Sequence, residues 1–204
     1  MKSSSLTIML TNVTKSYNHH LAIKDINVTF QEGYLHMITG ANGSGKSTIL
    51  KCIMGMLHYE GRIQKDHVKI GYAPEHFIMP EYMTVYDFLY SIGRIKSNSV
   101  VKTKETLELM LSMFELELYQ SLPISKLSNG MKQKVNLIQA IIHQPKILLL
   151  DEPTNAIDEA SIKKFIPYLK ELSKSTLIII STHQPELFIG RNKKIYRLEA
   201  GRLI

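Results

Sequence analysis

Residues 34–57 read YLHMITGANGSGKSTILKCIMGML, and this stretch decides the fold. Tyr34–Thr39 is an apolar segment typical of a strand, and Lys46–Leu57 repeats apolar residues at helical spacing. Between them, Gly40–Ser47 matches the G-x-x-x-x-G-K-[ST] pattern of a phosphate-binding loop. The order of strand, glycine-rich loop and helix therefore predicts a nucleotide-binding core.

The residue types in this loop suit a phosphate group. Glycines allow backbone N–H groups to turn inward around phosphate oxygens, and the following helix adds its N-terminal donors. Lys46 would place a positive charge at the β- and γ-phosphates, and the Ser47 hydroxyl would ligate Mg²⁺. We therefore expect nucleotide contacts from Gly40, Ala41, Asn42, Gly43, Ser44, Gly45, Lys46, Ser47 and Thr48.

A second motif lies much farther along the chain, where the apolar run Ile147–Leu150 ends in Asp151 and Glu152. A strand that ends in a carboxylate is the Walker B arrangement, and Asp151 is expected to hold Mg²⁺ opposite Ser47. Glu152 would polarise the attacking water as a general base. The two motifs together predict hydrolysis of a nucleoside triphosphate.

Two further positions allow two interpretations each. His183 follows the apolar segment Thr176–Ser181, and it either donates to a γ-phosphate or is an ordinary exposed or structural residue. Ser128 precedes a long helix, and it is either a simple N-cap or, with Gly130, part of a second anion site. The residues alone leave both alternatives open.

Composition bounds the class of protein. The chain has 204 residues, 44% hydrophobic and 21% charged, which is typical of one folded domain, with or without an inserted lobe. A net charge of +7 favours anionic partners, namely nucleotide, nucleic acid or an anionic membrane face, or else is a solvated basic surface. Cys52 is the only cysteine, so an intrachain disulfide is excluded and a reducing compartment is expected.

Neither a secretory signal nor a membrane-spanning helix is expected, because no apolar segment follows Met1–Ser5 and the apolar runs are short. Strand and helix patterns alternate, which predicts an α/β fold with a parallel sheet. The predicted strands are Leu6–Leu10, Ile26–Phe30, Tyr34–Thr39, Lys146–Leu150 and Thr176–Ser181, with a terminal hairpin of Lys194–Leu198 and Arg202–Ile204. The predicted helices are Lys46–Leu57, Val85–Ile95, Thr103–Tyr119, Ser128–Ile142 and Glu159–Leu172, the last kinked or ended early by Pro167.

The chain resembles the nucleotide-binding subunit of ABC transporters over essentially its full length. The motifs that carry the resemblance are the loop 40–48, a Gln-loop-like segment Tyr72–Glu75, the signature Leu127–Met131, Walker B at 147–152, a D-loop Asn155–Asp158 and the switch His183. The resemblance implies a P-loop NTPase core formed by 1–75 and 128–204, with a parallel sheet and an N-terminal antiparallel β-subdomain. Residues 76–127 would form an inserted α-helical subdomain.

The resemblance also implies roles for individual residues. ATP and Mg²⁺ would be the ligands; Tyr17 would stack on adenine, and Glu75 would reach the Mg²⁺–water system beside Ser47 and Asp151. The catalytic residues would be Glu152, His183, Lys46 and Glu75. ATPase domains of this family pair head to tail, so Ser128 and Gly130 would act on ATP held by the partner chain.

The sequence departs from the family pattern at three places. Glu75 stands where many members have Gln, the signature reads LSNGM through Asn129 and Met131, and Ile157 stands where Leu is usual. The LSxGM signature followed by Lys132 and Lys134 resembles the branch that exports drugs, peptides or ions.

We therefore expect the ATP-hydrolysing subunit of an exporter. It would be a homodimer or heterodimer at the cytoplasmic face of the membrane, driving separate membrane permease subunits, without a nucleic-acid partner. An importer subunit and a soluble ATPase, such as one in iron–sulphur assembly, stay as alternatives. A nucleotide kinase would explain the phosphate-binding loop but not the signature or His183.

Overall fold

The computed structural model describes residues 5–18, 20–96, 99–188 and 192–204. Met1–Ser4, on which the prediction about a secretory signal partly rests, lie outside the described residues. In chain order the elements are β1 (Thr7–Tyr17), β2 (His20–Gln31), β3 (Leu35–Thr39), α1 (Lys46–Met54), β4 (Glu60–Lys65), β5 (Ile70–Ala73), α2 (Val85–Lys96), α3 (Val100–Met113), α4 (Asn129–Ile141), β6 (Ile147–Asp151), α5 (Glu159–Leu172), β7 (Leu177–Thr182), β8 (Lys193–Glu199) and β9 (Arg202–Leu203).

The described strands form two sheets. The larger has the order β5-β6-β7-β3-β8-β9, in which neighbours from β5 to β8 are parallel and β9 pairs antiparallel with β8. The smaller is antiparallel, in the order β2-β1-β4. The α/β fold with a parallel sheet and an antiparallel β-subdomain is thereby confirmed. Because parallel strands end at the same edge, the segments after β3, β6 and β7 come together there.

The parallel strands are buried on both faces, and alternate side chains enter different cores. Ile147 and Leu149 of β6 pack in one core with Ile49 of α1 and with the antiparallel sheet. Leu148 and Leu150 pack in the other core, with residues of α2, α3, α4 and α5. The helix after the phosphate-binding loop and the helix after Ser128 therefore lie on opposite faces of the sheet.

Caps and turns fix where the elements begin and end. Helices α3, α4 and α5 start after Ser99, Ser128 and Asp158, whose side chains accept hydrogen bonds from backbone N–H groups of the first turn. The predicted terminal hairpin is confirmed, and its turn at Ala200 and Gly201 has positive φ at both positions. No helix within the described ranges is both long and apolar enough to cross a bilayer.

Several predicted boundaries are wrong. Helix α1 ends at Met54 and not at Leu57, because Gly55 takes a left-handed conformation with φ 86° that caps the helix. The helix predicted over Thr103–Tyr119 is α3, which runs from Val100 to Met113; Phe114 is its C-cap, and the next residue, Glu115, has φ 56°. Apolar spacing continued past both ends, but backbone conformation stopped the helices.

Pro167 was predicted to kink its helix or end it early, and an early end is wrong, since α5 continues to Leu172. Pro167 and Lys163 are both exposed, so water can solvate the Lys163 carbonyl that loses its partner. The buried residues Phe165, Ile166 and Leu169 hold the opposite face of the helix against the core. Packing therefore outweighs the lost hydrogen bond at this position.

Candidate functional site

The phosphate-binding loop lies between β3 and α1, and strand β2 packs closely against it. Gly45 has φ 107°, and a Cβ atom there would lie 2.5 Å from the carbonyl oxygen of Ala22. Only glycine fits both the conformation and the space. Ser44 is buried, and its hydroxyl has no hydrogen-bond partner among the described residues. A buried hydroxyl without a partner is suited to donate a hydrogen bond to the oxygen of a bound phosphate.

The Lys46 side chain is buried and bends back over the loop. Its Nζ donates to the carbonyl oxygens of Gly40 at 2.9 Å and Ala41 at 3.2 Å, and lies 3.4 Å from Glu152 Oε1. The loop backbone thus holds the ammonium group at the first turn of α1. Positive charge and helix N-terminal donors converge at this point, as an anion site requires.

Ser47 and Asp151 meet although they lie far apart in the sequence. The Ser47 hydroxyl donates to Asp151 Oδ1 at 3.0 Å, and the Ser181 hydroxyl donates to the same oxygen. A hydroxyl and a carboxylate are hard oxygen ligands, and Mg²⁺ is commonly bound by such groups together with substrate phosphates and water. The residues present therefore fit the magnesium ion that the sequence predicts.

Ser181 is a site residue that the sequence reasoning missed. It is the neighbour of Asp151 across the parallel pair β6–β7, and its carbonyl and hydroxyl oxygens accept from Glu152 N at 3.0 and 3.2 Å. Its position in an apolar strand gave no signal, because its role depends on the register between strands. Ser181 therefore holds the Asp151 carboxylate and the backbone of Glu152.

Glu152 is joined to His183. One carboxylate oxygen, Oε2, lies 2.8 Å from His183 Nδ1 and accepts from His183 N at 3.3 Å. The other, Oε1, is buried without a hydrogen-bond partner in the described part of the chain. Glu152 has φ 48°, a strained conformation for a non-glycine residue that takes the chain out of the strand direction. A carboxylate with one oxygen fixed by His183, and the other paired with Lys46 but without a hydrogen bond, is suited to accept a proton from water.

Glu75 lies in the segment after β5 and is exposed. It lines one cavity of about 580 Å³ together with Ser47 and Asp151, so the three predicted magnesium residues face a common space. Tyr72 and Gln139 line the same cavity.

The signature residues lie away from the phosphate-binding loop of their own chain. Ser128 is exposed, and its Oγ accepts a hydrogen bond from Met131 N at 3.2 Å. Ser128 is therefore the N-cap of α4, as the first of its two interpretations predicts. Helices α1 and α4 pack on opposite faces of the parallel sheet, so Lys46 at the start of α1 and the signature at the start of α4 lie on opposite sides of it.

The D-loop is fixed against the signature helix. A Cβ atom at Gly130 would lie 2.5 Å from the carbonyl oxygen of Ala156, so these two backbones are in close contact. Lys134 Nζ lies 2.6 Å from Asp158 Oδ2 and donates to the carbonyl oxygen of Phe114 at 3.1 Å. The hydrogen bond from Lys134 holds the pKa of the Asp158 carboxyl well below its usual range.

Tyr17 ends β1, opposite His20 in the pair β1–β2. Its side chain is 42% exposed, and Lys15 Nζ lies 5.1 Å from the ring centroid. The same hairpin carries Ala22, which contacts Gly45 of the phosphate-binding loop. A solvent-exposed aromatic ring is therefore present on the strand pair β1–β2, which borders the phosphate-binding loop.

Comparison with known proteins identifies relatives over most of the chain. The ABC transporter family model matches residues 23–155. The uncharacterized ABC transporter ATP-binding protein YybJ of Bacillus subtilis is 32% identical over 206 residues, which cover 96% of this chain and 94% of that protein. The sulfate/thiosulfate import ATP-binding protein CysA of Synechocystis is 32% identical over 89% of this chain and 55% of its own length.

A solved structure with the same fold is the dimeric, post-hydrolysis state of the ATP-binding cassette MJ0796 bound to ADP and Pi. It superposes with a TM-score of 0.86 at 27% identity, covering 96% of each chain. The chain spans 62%, 53% and 31% of the lengths of three further curated relatives.

Proposed function

The chain belongs to the ABC transporter family, and on that premise we propose that it binds and hydrolyses ATP as the nucleotide-binding subunit of a transporter. One observation carries the proposal. Lys46, Glu152 and His183 form a continuous chain of contacts beside the Ser47–Asp151 pair. Phosphate-binding, metal-binding and proton-accepting groups are thereby present within one small site.

Each side chain has a role in this proposal. Lys46 and the N–H groups of 40–48 hold the phosphates, Ser47 and Asp151 hold Mg²⁺ with Glu75 nearby, and Tyr17 stacks on adenine. Bound Mg²⁺ would neutralise phosphate charge. Glu152 accepts the proton of the attacking water through Oε1, which pairs with Lys46 until a phosphate engages the ammonium group, and His183 keeps the carboxylate oriented and faces the γ-phosphate.

The position of the signature supports a head-to-tail dimer. Ser128 and Gly130 begin a helix on the opposite face of the sheet from the helix that begins with Lys46, and a second chain would bring its signature to the nucleotide. The related MJ0796 cassette forms a dimer in its post-hydrolysis structure with ADP and Pi. ATP that contacts both chains would favour the closed pair over the open one, and loss of the γ-phosphate would release it.

The finer assignment is an exporter of drugs, peptides or ions that works through separate membrane subunits at the cytoplasmic face. It rests on the resemblance of Leu127–Met131 and its following lysines to that branch. An importer subunit is the second candidate, favoured by the identity to CysA, whose name states import.

The test is affinity capture from detergent-solubilised membranes of the native cell. Glu152→Gln with Mg-ATP is the bait, and Lys46→Ala is the matched control that should not close on ATP. Recovery of a polytopic membrane protein with the first bait alone supports the transport function and identifies the partner. Recovery of soluble assembly proteins alone overturns it.

A further inference from the structure

Helix α4 carries a row of three amide side chains on one face, Gln133, Asn136 and Gln139, spaced three residues apart. Asn136 is 1% exposed and Gln139 is 4% exposed. Burying an amide is costly unless its donors and acceptors are paired. The partners of these amides therefore indicate what the row does.

Two of the amides hold the backbone that leads to Glu75. Gln139 Nε2 donates to the carbonyl oxygen of Tyr72 at 2.7 Å, and Asn136 Nδ2 donates to that of Pro74 at 2.7 Å. Tyr72 lies near the end of β5, and Pro74 immediately precedes Glu75.

The amides also bond to one another. Gln139 Nε2 donates to Asn136 Oδ1 at 3.3 Å, and Asn136 Nδ2 donates to Gln133 Oε1 at 3.2 Å. Movement of one amide therefore disturbs the next, which makes the row act as a unit. Through these hydrogen bonds, α4 holds the backbone of 72–74, where the chain leaves strand β5 of the parallel sheet.

The absence of charge on these amide side chains also matters. Gln139 lines the cavity that Glu75 shares with Asp151. A lysine or arginine at this place would pair with a carboxylate and compete with a metal ion, whereas a carboxylate would repel both acidic groups. A neutral amide supplies the hydrogen bond without either effect.

We propose that Asn136 and Gln139 are positioning residues, which fix the backbone of 72–74 and thereby place Glu75 beside the magnesium site. The proposal rests on the function proposed above for Glu75, and neither amide touches the reacting atoms. Both act through the carbonyl oxygens of Tyr72 and Pro74.

The test uses Gln139→Leu, which keeps side-chain volume, and Asn136→Ala. Thr106→Val is the matched control, because it removes the hydrogen bond between α3 and Gln144, in the segment after α4, without touching the Glu75 segment. In the nucleotide-free protein, amide exchange in strand β5 (Ile70–Ala73) is expected to quicken about tenfold in the two amide variants only. Unchanged exchange in both folded variants overturns the proposal.

A second arm measures binding of the fluorescent analogue TNP-ATP in a Glu152→Gln background, with Mg²⁺ and with EDTA. The amide variants should lose about tenfold in affinity with Mg²⁺ and nothing in EDTA, as expected for groups that support a metal site. In a Glu75→Ala background, adding Gln139→Leu should not lower the affinity for TNP-ATP any further. An additive loss shows a merely structural role and overturns the proposal.

The two hypotheses fail separately. If the Glu152→Gln protein does not bind TNP-ATP at all, the proposed function fails, while amide exchange still decides the positioning role. If thermal melting shows that one amide variant does not fold, the other carries both arms.

Discussion

Lys46 and Glu152 form a buried ion pair, with Nζ and Oε1 3.4 Å apart and side chains only 6% and 5% exposed. One residue belongs to the phosphate-binding loop, and the other follows strand β6. A phosphate that engages Lys46 competes with Glu152 for the ammonium group. The pair therefore links nucleotide binding to the charge around the proposed base.

Removing one member of this pair should be costly, because the other is left as an uncompensated buried charge. Lys46→Met is expected to lower the free energy of unfolding by about 3 kcal/mol in the nucleotide-free protein. Adding Glu152→Gln should restore most of that loss. Urea denaturation of the two single variants and the double variant measures the coupling, and strictly additive losses contradict it.

The trans action of the signature gives a complementation test. Lys46→Ala and Gly130→Ala should each abolish hydrolysis, since the first removes phosphate binding and the second forces a Cβ atom against Ala156. A mixed dimer contains one site with an intact loop from one chain and an intact signature from the other. Mixing the two variants should therefore restore phosphate release. Continued inactivity of a mixture that forms dimers would argue for action within one chain.

Stability should fall with acidification because two histidines are buried. Burial lowers the pKa of His36 and of His143 to about 4. The positive charge of Lys194 lowers the pKa of His36 further, and those of Lys96 and Lys69 lower the pKa of His143. The unfolded chain binds protons near pH 6.5 and the folded chain does not, so this stability is present above about pH 6.5 and lost as pH falls towards 4. Because of each histidine, the free energy of unfolding should fall by roughly 1–2 kcal/mol between pH 7.5 and pH 5.

His143→Leu tests this dependence, since leucine removes the titrating group and keeps an apolar side chain in its place. The variant should lose less free energy of unfolding than the parent when pH falls from 7.5 to 5. Equal losses in the two proteins would show that His143 does not contribute.

Ser181→Ala should impair the site without unfolding the protein. Its hydroxyl donates to the Asp151 carboxylate and accepts from the Glu152 backbone N–H, so its loss loosens that carboxylate and the backbone beside it. We expect about a tenfold fall in Mg²⁺ affinity and a stability loss of about 1–2 kcal/mol. A Mg²⁺ titration of nucleotide binding and a thermal melt separate these effects. Unchanged Mg²⁺ affinity would leave Ser181 as part of the sheet only.

The sequence predicts those parts of the site that depend on local order. The loop 40–48, the carboxylates that end β6 and the segment before α4 each follow from residues adjacent in the chain. Their convergence follows from one general property, that parallel strands end at the same edge. The contact between Ser47 and Asp151 could thus be expected before its geometry was known.

Contacts that depend on register or packing could not be predicted. Ser181 reaches Asp151 because strands β6 and β7 pair in one register, and Asn136 reaches Pro74 because α4 packs across β5. Strands β4 and β5 were missed, since Glu60–Lys65 is polar and Ile70–Ala73 is short. Pro167 shows the reverse case, in which a strong local signal yields to burial of the opposite helix face.

The most direct test of the central claim compares the parent protein with Glu152→Gln, measuring phosphate release and Mg-ATP affinity together. Since Glu152 is the proposed base and competes with phosphate for Lys46, the variant should bind Mg-ATP at least as tightly as the parent while phosphate release falls at least about a hundredfold. It should also accumulate as an ATP-bound dimer, visible by light scattering. Hydrolysis by Glu152→Gln at the parental rate would contradict the account.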